Sequence, residues 1–266
     1  MKKYLSKTIT IVLITYNLFG VAYTFDRPEH VSENIWNSIL PHLISESHPM
    51  KKTLDEIFHS NTRVVFNSKS LKKAGFKNTK PGKWSGTIVA THKKLKGYLV
   101  KMYTDDQKGY IDWAKFIDRV KGAKSIKKAI EKNGWNNIFK VPNKWIYPLP
   151  ESPAPPIGYS RKNFVLLVED MDLLPKNVNL RMWRGAPMKK TMLNAIFLLL
   201  KEEGLRDSVY AFNLPFSKDK KIALVDTEYH HIWPVHYLSL LQYLSPSNRE
   251  YWKQLVKNGG PNSTSR

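Results

Sequence analysis

The order of hydrophobic patterns along this chain predicts an α+β fold divided into two lobes. Short strand-like runs dominate residues 63–103, and one amphipathic helix follows over residues 110–132. Two more strand-like runs come next, and beyond Glu169 the apolar residues recur mostly at helical spacing. Strands followed by helices indicate an α+β arrangement, and we expect the chain to cross between the lobes at residues 169–173.

The first 22 residues show the three regions of a secretory signal peptide. Lysines come first, residues 9–21 are mostly apolar, and small residues end the segment at Ala22. The apolar stretch is short for a bilayer span, so an uncleaved membrane anchor is the weaker alternative. We therefore expect cleavage near Ala22, a secreted or periplasmic mature chain, and no transmembrane segment in that chain.

Residues 23–70 are predicted to form a helical extension. Ser32 can cap a helix that carries Trp36 and Ile39, and a second helical piece covers residues 50–58. Neither piece has polar groups that converge on one point, so we expect the extension to act in packing.

The first lobe is predicted over residues 71–168, as a β-rich unit with one helix. Gly122 is out of place in the apolar stripe of that helix, because glycine weakens helices. Five prolines between residues 148 and 158 predict a loop. In and just before this lobe, strands are predicted at residues 63–66, 86–90, 97–103, 145–147 and 163–168.

The second lobe, residues 169–266, is predicted to be a reduced and mostly helical unit. A buried helix over residues 188–203 ends at Gly204, and a final helical region over residues 237–256 is broken by a Ser-Pro pair. Between these helices, residues 214–225 predict a β-hairpin.

Composition narrows the classes of function. The chain has no cysteine, so thiol chemistry, cysteine metal sites and disulfides are excluded. Its formal net charge is +21, and removal of residues 1–22, with three lysines and no acids, leaves +18. Such a charge favours anionic partners, which include nucleotides, phosphorylated molecules, membranes and nucleic acid.

Three polar residues in the second lobe suggest chemistry. Asp226 ends a strand-like run, and Asp207 and Asn213 lie just upstream. A carboxylate and a carboxamide can bind a metal ion on nucleotide phosphates, and a second carboxylate can orient or deprotonate an attacking hydroxyl. A zinc site at His230, His231 and His236 is the weaker alternative to a structural or surface role for them, because the spacing matches no zinc motif.

These residues resemble two motifs of the protein-kinase-like superfamily, H-R-D-L-x-x-x-N and D-F-G. The matching text is Leu205-Arg206-Asp207, then Asn213, and then Asp226-Thr227-Glu228. The step from Asp207 to Asn213 is six positions, one longer than in the motif. Leucine replaces the usual histidine, and Thr-Glu replaces Phe-Gly, which puts the usual activation switch in doubt.

The upstream half of the chain has similar features. Lys101 lies on an apolar strand that resembles the lysine strand of this superfamily. Before it, a segment containing Gly82, Ser85 and Gly86 resembles a shortened glycine-rich loop, whose backbone amides would contact phosphates. The resemblance extends over roughly residues 77–229.

The resemblance also implies an adenine pocket and an ion pair. Residues 164–171 are similar to the strand and hinge that line the adenine pocket, with Glu169 and Met171 as backbone contacts. The acid that would pair with the strand lysine is expected on the helix that follows, at Asp118 or, second, at Glu131.

Taken together, the resemblance implies a two-lobed protein-kinase-like fold and an exported phosphotransferase that uses ATP and Mg²⁺. Lys101 would contact phosphates, Asp207 would act as base or orienting group, and Asn213 with Asp226 would bind the metal. The acceptor is open and includes proteins. Two alternatives remain: a pseudokinase-type interaction module, and a basic secreted protein that binds anionic polymers or membrane surfaces.

Overall fold

A computed structural model describes residues 25–83 and 85–261 and has the predicted α+β fold. The predicted signal peptide lies outside the described residues. The helices are α1 (Glu33–Ile39), α2 (Lys51–Phe58), α3 (Ser68–Lys73), α4 (Asp112–Lys132), α5 (Lys176–Arg184), α6 (Lys190–Glu202) and α7 (Pro246–Asn258), with 3-10 turns at Leu40–His42 and Tyr237–Tyr243. The strands are β1 (Phe76–Lys77), β2 (Ile88–His92), β3 (Tyr98–Met102), β4 (Phe139–Lys140), β5 (Lys144–Pro148), β6 (Phe164–Glu169) and β7 (Ile222–Ala223).

Five of these strands form one antiparallel sheet in the order β1-β2-β3-β6-β5. β6 lies between β3 and β5, and its residues from Phe164 to Val168 are all buried, as expected for a strand covered on both faces. Lys101 on β3 is opposite Val89 on β2 and Leu166 on β6, so it lies inside the sheet and not at an edge.

Helix α4 joins two hydrophobic cores. Phe116 and Val120, in its first half, pack with the core that lies between α4, α1 and the sheet. Ile126 and Ile130, in its second half, pack with the core of the C-terminal helices. Strand β4, which follows α4, pairs in parallel with β7. The second half of α4 and β4 therefore pack with the C-terminal part of the chain, although both lie before residue 169.

The N-terminal extension is part of the folded body. Both predicted helices are present, as α1 and α2. The amide of Ile44 donates to the carbonyl oxygen of Ile146 at 2.9 Å, and the Tyr147 hydroxyl donates to Asp55 Oδ1 at 2.9 Å. The extension thus adds buried contacts to β5, at an edge of the sheet, which agrees with a packing role.

One predicted strand is wrong. Residues 63–66 form a turn, and α3 follows it. Val64 and Val65 are both buried, so their apolar run reflects core contacts and not strand alternation. Asn67 then caps α3 by accepting from the amides of Lys69 and Ser70.

The other predicted elements are present. Strands β2, β3, β5 and β6, helices α4 and α6, and the break before α7 all lie where the sequence places them. The predicted hairpin at residues 214–225 is closed by an antiparallel bridge between Phe216 and Ile222.

Across the two described ranges, no helix combines the length and the apolar character that a membrane span requires.

Candidate functional site

Lys101 points from β3 toward the segment after β7. It is half-buried, and its Nζ donates to the carbonyl oxygen of Val225 at 3.3 Å. Burial, together with the nearby Arg119 guanidinium, lowers the pKa of Lys101 from its ordinary 10.5 to about 8. The side chain therefore does not face solvent. Its ammonium contacts Val225, the residue that precedes Asp226.

The glycine-containing loop lies directly before β2, the strand that neighbours β3. Gly82 donates to the Thr87 carbonyl at 3.0 Å, and Gly86 donates to the Gly82 carbonyl at 3.0 Å. These two amides close the loop on itself, so they are not free to bind phosphate as the resemblance implied. Gly86 has a φ of +65°, and a Cβ atom there would overlap the ring of Tyr110. Ser85 is exposed and accepts from the Thr87 amide at 3.3 Å.

Contacts to the backbone place Asp207, Asn213 and Asp226 near one another. The Asn213 carboxamide donates to the backbone carbonyl of Asp207 at 3.0 Å, and the Val225 amide donates to the Asn213 carbonyl at 3.3 Å. The hydroxyl of Ser208, next to Asp207, donates to the backbone carbonyl of Asp226 at 3.3 Å. The extra position between Asp207 and Asn213 therefore does not separate the two residues.

The carboxylate of Asp226 is buried among cations. Its Oδ1 atom is buried and has no hydrogen-bond partner within the described part of the chain. Burial raises the pKa of this carboxyl, but the surrounding positive charges outweigh burial and hold the pKa below its ordinary value. These charges belong to Lys101, Arg119 and Lys144.

Four residues of this cluster were not predicted as site residues. Lys144 is buried, and its Nζ donates to Thr227 Oγ1 at 2.5 Å. Burial, and then the charge of Lys101, lowers the pKa of Lys144 well below its ordinary value. Arg119 on α4 pairs with Glu228, with 2.7 Å from Nη2 to Oε2.

A signal for Arg119 was present in the sequence. It lies three residues after Phe116 and four before Ala123, so it shares the buried face of α4 with both. An arginine on a buried helix face requires an anionic partner, because an unpaired buried charge is costly. The identity of that partner, Glu228, could not be inferred, since the two residues are 109 positions apart.

The acid expected on this helix is not at the site. Asp118 and Glu131 are both exposed on α4. The residue of α4 whose charge acts on Lys101 is Arg119, a cation. The helix thus contributes the opposite charge from the one that the resemblance implied.

The predicted hinge is partly occupied by its own contacts. The carboxylate of Glu169 accepts from the backbone and the side chain of Asn143, both at 2.9 Å. The Glu169 amide donates to the Asn143 carbonyl at 3.1 Å, and the Asp170 amide donates to Gly97 at 2.8 Å. Of the two proposed adenine contacts, Glu169 has its amide engaged and Met171 is half-buried.

The three histidines diverge. His230 Nδ1 lies 3.4 Å from the carbonyl oxygen of Glu228, and His231 Nε2 lies 3.5 Å from Glu203 Oε2. His236 Nδ1 lies 3.3 Å from Asp207 Oδ1. In the described ranges no group of three or more His, Asp or Glu side chains is placed to hold a metal ion.

No protein-family model matches this chain, and no curated protein matches it.

Proposed function

We propose that this protein is an exported phosphotransferase with a protein-kinase-like fold, which transfers the γ-phosphoryl group of ATP. The observation that supports the proposal most strongly is that Lys101, on β3, contacts the backbone beside Asp226, in the same stretch whose backbone contacts place Asp207 and Asn213 nearby. The antiparallel sheet that carries Lys101, followed by α4 and by helices beyond residue 169, is compatible with the two lobes of that fold.

The charges of the site suit a nucleotide. Four cations, Lys101, Lys115, Arg119 and Lys144, face the two carboxylates of Asp226 and Glu228. An anionic phosphate chain would compensate this excess of positive groups and would favour the charged forms of Lys101 and Lys144. Lys101, on the strand beside the Ser85 loop, is the phosphate ligand in this proposal.

The residues present also fit Mg²⁺. The buried Asp226 Oδ1 atom has no donor among the described residues, and Asn213 has a carboxamide oxygen to offer. Mg²⁺ is usually held by one or two protein oxygens together with substrate phosphates, so a site without a cluster of acids is suitable. Bound there, Mg²⁺ would offset the negative charge of the phosphates.

In the proposed reaction, the oxygen of an acceptor hydroxyl forms a bond to the γ-phosphorus, and the bond from that phosphorus to the β–γ bridging oxygen breaks. ADP leaves, and the proton of the hydroxyl passes to the Asp207 carboxylate. The Asp207 side chain is 45% exposed, which leaves it open to an acceptor as large as a protein. His236, beside the same carboxylate, can keep it in place.

Two substitutions test the site. With ATP and Mg²⁺ at a hundredfold excess over Kd, the parent should gain roughly 2.7 kcal/mol of stability in a thermal-shift measurement. Asp226→Asn should lose this Mg²⁺-dependent gain, because it removes the metal-binding charge. Asp207→Asn should keep the gain and lose phosphoryl transfer, measured as ADP formation or autophosphorylation.

Asp118→Asn is the matched control, because it removes an exposed carboxylate elsewhere on the surface. It should behave as the parent does in both measurements. If Asp226→Asn binds Mg-ATP as tightly as the parent, the site is wrong. Nucleotide binding without transfer in the parent would identify an interaction module of the pseudokinase type.

Export and an anionic partner complete the proposal. N-terminal sequencing of exported protein should return a chain that begins near Tyr23.

The mature charge of +18 would also support binding to anionic polymers or membrane surfaces. That activity becomes the better explanation if the parent shows no response to Mg-ATP and binds such surfaces with a strong dependence on salt.

A further inference from the structure

Side chains of helix α4 bind the segment that carries the proposed metal ligand, Asp226. The Arg119 side chain is 5% exposed and the Glu228 side chain is 8% exposed. Arg119 donates to Glu228 Oε2 from Nε at 3.0 Å and from Nη2 at 2.7 Å. Lys115, one turn earlier on α4, lies 3.4 Å from the other carboxylate oxygen. Glu228, two residues after Asp226, is thus fixed by cations of a single helix.

The residue between Asp226 and Glu228 is fixed by the same position of α4. Thr227 is fully buried, and its hydroxyl donates to the backbone carbonyl of Arg119 at 2.6 Å. The same hydroxyl accepts from Lys144 Nζ. Gly122 permits this approach, because a Cβ atom there would overlap the carbonyl oxygen of Thr227. Side chain and backbone of Arg119 therefore hold two consecutive residues next to the Asp226 carboxylate.

Arg119 also has one nitrogen that these contacts do not use. Its Nη1 atom is buried and has no hydrogen-bond partner among residues 25–83 and 85–261. In the same cluster, Asp226 Oδ1 is the other buried atom without a partner. A buried donor and a buried acceptor of opposite charge, both unsatisfied, indicate that the cluster is built to take a further polar group.

We propose that Arg119 is the positioning residue of Asp226: by its buried pair with Glu228 it holds the residue 226–228 segment against α4, so that the Asp226 carboxylate is set for a metal-nucleotide ligand. The proposal rests on the proposed function. In this proposal, α4 fixes the metal-binding segment permanently through buried ion pairs. These pairs stand where the protein-kinase-like superfamily has the Phe-Gly residues of its activation switch. Arg119 acts through Asp226 and does not touch the reacting atoms.

The experiment compares Arg119→Met, Arg119→Lys and Glu228→Gln with the parent. The first readout is the Mg²⁺ dependence of ATP binding, measured by calorimetry with ATP at fixed concentration and Mg²⁺ varied. Loss of a residue that supports a metal ligand typically weakens metal affinity by about 10–100-fold. We expect a loss in this range for Arg119→Met and for Glu228→Gln. The variant with both substitutions should show no further loss, because each substitution alone already breaks the same Arg119–Glu228 pair.

Arg119→Lys should recover part of the affinity, because lysine keeps the charge but lacks the two-nitrogen fork. Arg63→Met is the matched control. Arg63 forms a similarly buried pair with Asp105, which makes no contact with Asp226, Thr227 or Glu228 among the described residues, with side chains 8% and 0% exposed. It should destabilise the protein and leave the Mg²⁺ dependence of ATP binding unchanged.

The second readout needs no nucleotide. In the apo protein, amide hydrogen exchange of residues 225–229 should become faster in Arg119→Met and Glu228→Gln, and should stay slow in Arg63→Met. Unchanged exchange in both site variants would overturn the positioning assignment, whatever the protein binds. If the parent shows no Mg²⁺-dependent ATP binding and exchange is still faster in the two site variants, the proposed function is contradicted. The same result would establish that Arg119 and Glu228 hold this segment against α4.

Discussion

The ammonium group of Lys101 lies in a buried position, away from the water that would normally stabilise its charge. Its ammonium lies against the Val225 carbonyl, and its pKa falls to about 8 because burial and Arg119 disfavour the charged form. The unfolded chain would keep the ordinary value of 10.5. Between these two values, the unfolded state binds a proton that the native state has released, so the stability contributed by this residue rises with pH.

This difference predicts how Lys101→Met will behave. At pH 7 the apo variant should be more stable than the parent, because it avoids burying a charge. The advantage should shrink from pH 8 to pH 10 by about 2 kcal/mol, since a difference of one bound proton changes stability by about 1.4 kcal/mol per pH unit. Urea unfolding at both pH values would measure it. Lys96→Met, at an exposed lysine, serves as the control and should show the same stability difference from the parent at each pH.

At the scale of elements, Gly122 makes α4 fit its surroundings. Its place in a 21-residue helix costs about 1 kcal/mol relative to alanine. The structure gives the reason for it: the chain at Thr227 and His230 packs so closely on α4 that a methyl group would overlap the Thr227 carbonyl. A residue that weakens the helix is thus required by the segment that carries the candidate site.

Gly122→Ala should therefore destabilise the protein, although alanine favours helix formation. A Cβ atom at this position would lie well within 3.0 Å of the Thr227 carbonyl oxygen, so the cost should be at the upper end of the usual range, about 3 kcal/mol, which exceeds the gain of about 1 kcal/mol in helix propensity. The Mg²⁺-dependent response to ATP should weaken at the same time, because Thr227 adjoins Asp226. Lys121→Ala, at the exposed neighbouring position, should leave both unchanged. A Gly122→Ala variant with raised stability and normal nucleotide response would contradict this explanation.

The elements show where sequence patterns suffice. α6 is a long segment with apolar residues at helical spacing, and β6 is an unbroken apolar run after a proline-rich loop, so their type and place follow from the sequence. Val64 and Val65 are equally apolar but lie in a buried turn, and a short run carries no period that would separate the two cases. Asp207, Asn213 and Asp226 belong to one continuous stretch of sequence, which made their proximity predictable. Arg119 and Lys144 join them only through contacts between distant segments, which local patterns do not encode.

At the scale of the whole molecule, α4 decides whether the two cores behave as one. Chains of more than about 150 residues often unfold in stages, one unit at a time. Here the first half of α4 packs in the core beside the sheet, and its second half packs in the C-terminal core. The buried contacts of Arg119 with Glu228 and Thr227 add a further connection. Loss of either core would therefore expose one half of α4, while its other half is still packed in the remaining core.

This connection predicts a single unfolding transition for the two cores. Ile39→Ala affects the core beside the sheet, and Leu199→Ala affects the C-terminal core; each should cost about 2–5 kcal/mol. Amide exchange near the unfolding midpoint, followed separately in β6 and in α6, should shift by the same amount in both elements for either variant. Independent units would give the opposite result, since Ile39→Ala would then change β6 alone and Leu199→Ala would change α6 alone. In that case α4 would be an ordinary connector between two lobes, and the positions of Lys101 and Asp226 would be fixed only when a ligand brings the lobes together.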